Sequence, residues 1–375
     1  MNAEFIHPGH INIIMVAREL GEVTVGLATD RLNARTKRVA VLNYEQRKKI
    51  VENIVGVKRV IPQDTLDLGP VLRELRPDYF VHGDDWKTGR LSQVRAQVIQ
   101  LLDGWGGELV EPAYTPGVSS TKLNDRWLSA NLTPELRRDR LGQLMEHKEF
   151  IRFRRAPDDL QRIREGGASP AAQHSPGEFD VLWWAKMRDA QVGVAAGNST
   201  PDIDSAILAI NRVLDARTEP MVVECRHEWG HTDFPYVIRT LERLGVSAIC
   251  LGGVPTGADE EPGWVSNRSL DLISTVKRVQ MTDGFKTFVR LPTPGNELWE
   301  EDWLNHALAC VEAGADGLVT FSAPERLSPA LALIRQLKTR GVVCPIYVGM
   351  SGKFGDKERN LLEAGVQGVV YLDGP

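Results

Sequence analysis

Ile6-His7-Pro8-Gly9-His10 opens an apolar run with helical spacing that continues through Ile11, Ile13, Ile14, Val16, Ala17 and Leu20. Two histidines that flank a glycine at a helix start can direct imidazole N–H groups and backbone amides at one phosphate. Further along, residues 117–122 (GVSSTK) supply hydroxyl groups for a second phosphate site. Each motif also has a simpler interpretation, a helix start with two surface histidines and an ordinary serine or threonine N-cap.

Polar residues also follow the strands predicted between these two motifs. Residues 23–30 (VTVGLATD) predict a buried strand that ends in Thr-Asp, and residues 79–86 (YFVHGDDW) predict a strand that ends in Gly-Asp-Asp. Ligands bind at the carboxyl ends of strands in open α/β sheets, so these polar ends favour a ligand site. The competing interpretation treats residues 83–86 and the charged segment 37–49 as solvated surface.

Residues 5–123 resemble the cytidylyltransferase family, whose members join CTP to a phosphorylated small molecule and release pyrophosphate. The resemblance rests on the HPGH and SSTK motifs, on Thr29-Asp30, and on residues 44–57, which are similar to the family's YEER…IV.NI..V helix. Two further strand ends, at residues 60–63 and 79–86, also match. The resemblance implies a Rossmann-like α/β nucleotidyltransferase domain at residues 1–123.

The resemblance further implies the site and its chemistry. An acceptor oxygen attacks the α-phosphorus of CTP in line, and catalysis consists mainly of positioning and charge neutralisation. His7 and His10 are expected to donate to the transferring phosphate, and Lys37 to hold the β- and γ-phosphates. Mg²⁺ is expected on the triphosphate, held mostly by phosphate oxygens and water. The residues expected to bind the nucleotide are Gly9, Asp84, Ser119, Ser120 and Thr121.

One departure from the family concerns the start of the chain. The family has a β-strand whose end leads directly into the histidine motif, whereas only Met1 to Ile6 precede His7 here. So short a segment cannot supply both a central strand and a loop. Either the start is assigned too far downstream, or the sheet lacks its first, middle strand. A missing middle strand would leave backbone groups unpaired inside the sheet, so we expect the first explanation.

Composition sets the broad class. The 375 residues suffice for two domains, and a formal net charge of −5 gives no basic field, so we expect no nucleic-acid partner. No apolar run reaches membrane-spanning length and no signal peptide is present, so we expect a cytoplasmic protein without a membrane partner. The four cysteines lack metal-ligand spacing and are expected to be buried thiols: Cys225, Cys250, Cys310 and Cys344.

The pattern changes after a charged segment at residues 124–148, which is predicted to be a helical connector. Strand-like runs alternate with helical segments from residue 149 to residue 375, and several of the helices end at glycine. About eight such repeats predict a (β/α)8 barrel. The predicted strands are residues 150–155, 179–184, 221–225, 246–251, 287–291, 317–321, 345–348 and 368–372.

This second domain resembles the phosphoenolpyruvate mutase and isocitrate lyase superfamily in the phrases at residues 179–183 (FDVLW), 241–249 (LERLGVSAI) and 307–316. The resemblance weakens at the residues that carry chemistry. Residues 224–231 (ECRHEWGH) stand where the family has DADTGYGN, so Arg226 replaces an acidic group and opposes a dication. Only Glu224 and Arg290 stay as remnants of the family site. We therefore expect a degenerate barrel without a metal and without mutase activity.

Residues 227–231 (HEWGH) also spell the HExxH zinc motif. That motif needs a helix, whereas here it follows a predicted strand and contains Gly230, so a loop is the better interpretation.

The two resemblances together imply a fused protein of phosphonate antibiotic biosynthesis that transfers CMP from CTP to a small acceptor. The expected acceptor is a phosphonate or phosphate monoester such as 2-hydroxyethylphosphonate, with glycerol 3-phosphate as the alternative. Two other hypotheses stay open: a barrel enzyme that acts on a phosphonate or 2-oxo acid, and a non-catalytic scaffold. The sequence stops just after its eighth predicted strand, without the helices that family members exchange between subunits. This argues against such an exchange, and a homo-oligomer built another way stays open.

Overall fold

The computed structural model divides the chain into two compact units, Met1–Asn131 and Leu132–Pro375. Residues 124–131 of the predicted connector are not among the described residues, and the rest of it belongs to the second unit. The structure describes residues 1–36, 39–113, 115, 123, 132–156, 179–185, 203–225, 234–252, 263–292, 300–322, 327–350 and 357–371.

The first unit alternates helices and parallel strands, as the sequence predicts. Its first helix begins where the histidine motif places it, because Pro8 fits a first helical position that needs no N–H donor. Two short 3-10 helices, Asp84–Trp86 and Gly89–Leu91, follow the third strand. The elements are α1 (Pro8–Leu20), β1 (Val23–Ala28), α2 (Asp30–Thr36), α3 (Tyr44–Glu52), β2 (Val57–Gln63), α4 (Gly69–Leu75), β3 (Tyr79–Val81), α5 (Ser92–Asp103) and β4 (Glu108–Val110).

The strands of this unit form two separate parallel pairs, β1 with β2 and β3 with β4. Within the described residues no strand joins the pairs, although α1 contacts both β1 and β3. The edge of β1 bonds instead to the first residue: the amino group of Met1 donates to the Gly26 carbonyl at 2.6 Å, and the Ala28 N–H donates to the Met1 carbonyl at 2.8 Å. The residues before His7 thus form no strand, in agreement with their length.

Each strand pair has its own small apolar core. The expected buried strand at residues 23–30 is confirmed, since alternate residues of β1 point into the first of these cores. The core beneath β1 and β2 contains Ala3, Val23, Val25, Leu27, Val51 and Val60, and the core beneath β3 and β4 contains Leu72, Trp86, Val98 and Leu102.

The second unit is a closed barrel of eight parallel strands, which confirms the predicted (β/α)8 fold. Helices end at glycines in left-handed conformation, such as Gly245 (φ 96°) and Gly314 (φ 102°), where other residues would be strained. The elements are α6 (Pro134–His147), β5 (Ile151–Arg155), β6 (Val181–Trp184), α7 (Ile203–Ala216), β7 (Met221–Cys225), α8 (Phe234–Leu244), β8 (Ala248–Leu251), α9 (Gly263–Val279), β9 (Lys286–Leu291), α10 (Glu300–Glu312), β10 (Gly317–Phe321), α11 (Leu327–Thr339), β11 (Ile346–Met350), α12 (Lys357–Glu363) and β12 (Gly368–Tyr371).

Helix α6 is bound into the barrel unit by two buried arginines. Arg137 donates to the Leu214 carbonyl at 2.8 Å, and Arg138 donates to the Glu242 carbonyl at 2.5 Å. These bonds satisfy the carbonyl groups at the ends of two barrel helices. Residues 134–147, which the sequence predicts as part of a connector, therefore form a helix that packs within the barrel unit.

The sequence predicts that the cysteine thiols are buried and that Trp183 and Trp184 pack inside the barrel. Cys344 is partly exposed, so the expectation of a buried thiol is wrong for this residue and holds for the other three cysteines. Trp183 and Trp184 are buried within the barrel, as expected of packing residues. Among the described residues, no helix is both long enough and apolar enough to cross a membrane.

Candidate active site at the start of helix α1

His7 is the N-cap residue of α1, and its ring accepts the capping hydrogen bond. The backbone N–H of Gly9 donates to His7 Nδ1 at 3.1 Å. An acceptor nitrogen carries no proton, so a neutral His7 has its proton on Nε2. A Cβ on residue 9 would lie only 3.0 Å from the ring of His7, which explains the glycine at this position. The ring of His10 stacks on the ring of His7 with centroids 4.0 Å apart.

The amides of the first turn are already engaged by His7. The N–H groups of His10 and Ile11 both donate to the His7 carbonyl, at 2.9 and 3.3 Å, and the Gly9 N–H donates to the His7 ring. The interpretation that these amides bind phosphate together with the imidazoles stays a prediction, since all three amides have a partner within the turn in this structure. The two imidazoles and the positive end of the helix dipole are the groups that α1 offers to an anion.

The cap makes the first unit sensitive to acid. Burial lowers the pKa of His7 below its ordinary value of 6.5, so the folded state takes up a proton less readily than the unfolded chain. The stability that the cap contributes, about 1 kcal/mol, is therefore fully present above pH 6.5 and is lost as the pH falls through the lower pKa of the folded state. Urea unfolding of the full chain between pH 8 and pH 5 should show this loss.

The matched control for this prediction is His7→Asn, because asparagine caps helices well and does not titrate. The free energy of unfolding of this variant should fall less between these pH values than that of the original chain. Equal pH profiles for the two proteins would contradict the role of the His7 ring in the cap. Burial also lowers the pKa of His82, but that contribution is common to both proteins and cancels in the comparison.

The ends of β3 and β4 run side by side toward the start of α1. The His82 N–H donates to the Val110 carbonyl at 3.1 Å, and the Asp84 N–H donates to the Pro112 carbonyl at 3.3 Å. A Cβ on Gly83 would lie 3.6 Å from Ile13 Cδ1, so this turn lies against α1. Asp84 therefore follows a residue that lies against the helix that carries the histidines.

Glu111, which follows β4, links Arg95 to Trp86 through hydrogen bonds. The sequence did not predict this residue as part of the site. Arg95 donates to both carboxylate oxygens of Glu111 at 2.8 Å, and Trp86 Nε1 donates to Oε1 at 2.8 Å. These bonds, first of all the one from Arg95, lower the pKa of Glu111 to about 2. The ring of His82 stacks on the buried Trp86 with centroids 4.0 Å apart. Glu111 therefore stays charged at neutral pH and holds Trp86, on which the ring of His82 stacks.

Arg47 is a second residue that the sequence interpretation missed. The alternative for residues 37–49 was a solvated face, yet the side chain of Arg47 is fully buried. Its guanidinium donates to the carbonyls of Leu42, Asn2 and Ala28 and pairs with Asp30 at 2.6 Å. Asp30, the strand-end aspartate of the sequence analysis, is therefore a partner of Arg47.

Several predicted site residues are not among the described residues. Lys37 and the residues Ser119, Ser120 and Thr121 are in this group, and so is the HExxH segment with Arg226. Thr115, which precedes the SSTK motif, is described: its Oγ1 accepts a 3.0 Å hydrogen bond from Asn12 Nδ2 of α1. The chain that leads into the second motif thus reaches the helix that carries the first.

In the barrel, the two predicted remnant residues meet. Arg290 Nη1 lies 2.6 Å from Glu224 Oε1, and Trp183 Nε1 donates to Glu224 Oε2 at 3.3 Å. The guanidinium of Arg290 also lies over the ring of Phe321, 4.2 Å from its centroid. Both oxygens of Glu224 therefore accept a hydrogen bond in this structure. No cluster of three or more potential ligands exists within the described residues of either unit.

Comparison with known proteins decides the family of the first unit. The cytidylyltransferase-like family model matches residues 2–126. Glycerol-3-phosphate cytidylyltransferase of Bacillus subtilis (strain 168) is 32% identical over 124 residues, which cover 32% of this chain and 88% of that protein. The chain belongs to the cytidylyltransferase-like family. Membership in this family indicates a nucleotidyltransferase.

Other similarities cover a smaller part of the relative or have a lower sequence identity. An FAD synthase of Archaeoglobus fulgidus is 37% identical over 82 residues, which cover 22% of this chain and 60% of that protein. Among solved structures, the phosphoenolpyruvate phosphomutase from Streptomyces platensis subsp. rosaceus is similar with 16% identity and a TM-score of 0.43, covering 62% of this chain and 79% of that one. The barrel fold of the second unit rests on its own strand pairing.

Proposed function

We propose that the chain transfers CMP from CTP to a small phosphonate or phosphate monoester and releases pyrophosphate. The observation that carries this proposal is the start of α1, where two stacked imidazoles stand at the positive end of a helix in a cytidylyltransferase-like domain. A phosphate placed there would receive N–H donors together with a favourable helix dipole. Lys37, Ser119, Ser120 and Thr121 complete the proposed nucleotide site.

The proposed reaction needs no general base. An ionised acceptor oxygen attacks the α-phosphorus, the bond to the bridging oxygen breaks, and pyrophosphate leaves with the electron pair. His7 donates from Nε2, since its Nδ1 accepts the Gly9 N–H. His10, stacked beside it, supplies the second donor to the charge that builds on the phosphorus oxygens. Mg²⁺ enters bound to CTP, as part of the substrate.

The proposed acceptor is 2-hydroxyethylphosphonate, with glycerol 3-phosphate as the second candidate. Pairing of this transferase domain with a mutase-like barrel favours the phosphonate, and with it a role in phosphonate antibiotic biosynthesis in the cytoplasm. Two relatives favour a phosphate monoester: the Bacillus subtilis glycerol-3-phosphate cytidylyltransferase, and a probable ethanolamine-phosphate cytidylyltransferase of Schizosaccharomyces pombe that is 32% identical over 130 residues.

The test is pyrophosphate release from CTP and Mg²⁺ in the presence of 2-hydroxyethylphosphonate, glycerol 3-phosphate or ethanolamine phosphate. Release that depends on one acceptor would support the transferase and identify its substrate. ATP and GTP in place of CTP test the choice of nucleotide. No acceptor-dependent release with any pair of substrates would contradict the proposal.

The barrel has no catalytic part in this proposal, and Glu224→Ala tests that directly. The substitution removes the partner of Arg290 and the acceptor of Trp183, so we expect the barrel to lose about 1–3 kcal/mol of stability. Because the two units are separately compact, kcat and KM for CMP transfer should stay within twofold of the original values. A tenfold loss of kcat in folded protein would show that the barrel takes part in the reaction.

A further inference from the structure

The start of α1 is joined to the chain that follows β4 by one side-chain hydrogen bond. Asn12 lies on the exposed side of α1, together with Met15 and Glu19, so it is not held there by packing. Its Nδ2 donates to Thr115 Oγ1 at 3.0 Å, across 103 residues of sequence. The bond therefore connects two segments that are far apart in the chain and adjacent in the fold.

Thr115 reaches this position because β4 and the residues after it run beside His82 and Asp84. The bonds of Val110 and Pro112 to these two residues set the direction of the chain. Thr115 then lies over the first turn of α1, where its Cβ would be 3.6 Å from a Cβ on Gly9. Gly9 stands between the two histidines, so Thr115 lies directly beside the proposed phosphate-binding turn.

We infer that Asn12 and Thr115 are a pair of positioning residues that hold Thr115, in the chain after β4, against the His7–His10 turn of the proposed CTP site. The contact joins α1, which begins with the His7–His10 turn, to Thr115. This inference rests on the proposed function. A triphosphate bound at this turn needs ordered surroundings, and a contact that is already in place lowers the ordering cost of binding.

The expected effect concerns CTP binding more than the chemical step. Asn12→Ala and Thr115→Val each remove the hydrogen bond and should raise KM for CTP about fivefold, with kcat and KM for the acceptor changed less than twofold. Alanine is the better helix former, so Asn12→Ala should not weaken α1 itself. A loss of folded protein would lower kcat instead, which distinguishes positioning from a purely structural role.

The double variant gives the sharpest test. If the two side chains act through one bond, Asn12→Ala/Thr115→Val should have the same KM for CTP as either single variant. Thr115→Ser keeps the hydroxyl group and should restore a KM close to the original value. Glu19→Ala, on the same exposed side of α1, is the matched control and should have no effect.

Two results would overturn the inference. If the double variant raises KM for CTP by the product of the two single effects, the two side chains do not act through one bond. A rise in KM for Thr115→Val alone, with Asn12→Ala silent, would show that Thr115 contacts the nucleotide itself.

Calorimetric binding of MgCTP to the same variants separates this inference from the proposed function. If no acceptor supports turnover but MgCTP binds, the same pattern in Kd supports the pair although the proposed reaction has failed. If the original chain neither turns over nor binds MgCTP, both the proposed function and the pair are wrong.

Discussion

Replacement of His10 by alanine should lower kcat for CMP transfer by about 10²–10³-fold, the cost of removing one donor to a developing phosphate charge. The ring of His10 stacks on His7 at the start of α1, and its removal leaves the cap formed by His7 and Gly9 in place. The folded structure should therefore be preserved, with near-original circular dichroism and MgCTP binding weakened less than kcat.

The matched control is His147→Ala. His147 is a partly exposed histidine at the end of α6 in the barrel unit, so its loss tests for effects of histidine removal in general. Initial rates of pyrophosphate release under saturating CTP and acceptor give kcat for all three proteins. Turnover of His10→Ala within threefold of the original chain would remove His10 from the proposed mechanism.

Replacement of Arg47 by leucine should destabilise the first unit by about 3–5 kcal/mol, the usual cost of breaking a buried ion pair. Three backbone carbonyls, those of Leu42, Asn2 and Ala28, lose their donor, and Asp30 loses its charge partner in a mostly buried position. Hydrogen exchange of the β1 amides in the full chain reports this loss without interference from the barrel.

The control for this prediction is Lys48→Leu. Lys48 follows Arg47 on α3, but its side chain is 34% exposed and its ion pair with Glu52 is 3.8 Å long. An exposed pair of this kind contributes little, so the control should change stability by less than about 1 kcal/mol. A similarly small change for Arg47→Leu would contradict the role of its guanidinium as the link between Asp30 and the backbone.

The fold could be predicted largely from local patterns. Seven of the eight barrel strands, for example the strand at residues 317–321, begin or end where the apolar runs do, because apolar side chains fill both faces of a barrel strand. Helix ends at Gly245 and Gly314 were visible for the same local reason. The start of α1 followed from the proline and histidine of the HPGH motif.

The sequence could not predict which polar side chains pair across long distances in the chain. Arg47 sits in a run of charges that is typical of a solvated face, and only the fold shows that four acceptors surround it. Glu111 and the bond between Asn12 and Thr115 likewise depend on contacts across many residues. A buried arginine has no local signature, because its acceptors are mostly backbone carbonyls.

The sequence predicted where the two histidines lie but not the hydrogen bonds that they make. The motif with His7 and His10 indicated donors at a helix start, and both rings are found there. The sequence could not show that His7 uses its own Nδ1 and carbonyl to engage the first-turn amides. That geometry limits His7 to donation from Nε2 and makes the cap sensitive to protonation.

³¹P NMR of CTP, Mg²⁺ and 2-hydroxyethylphosphonate or glycerol 3-phosphate, incubated with the full chain, tests the proposed CMP transfer. The triphosphate signals should decline only when an acceptor is present. They should be replaced by equal amounts of pyrophosphate and of a new anhydride that links CMP to the acceptor. Unchanged CTP with every acceptor, or conversion of CTP to CDP and inorganic phosphate, would show that the chain does not transfer CMP to these acceptors.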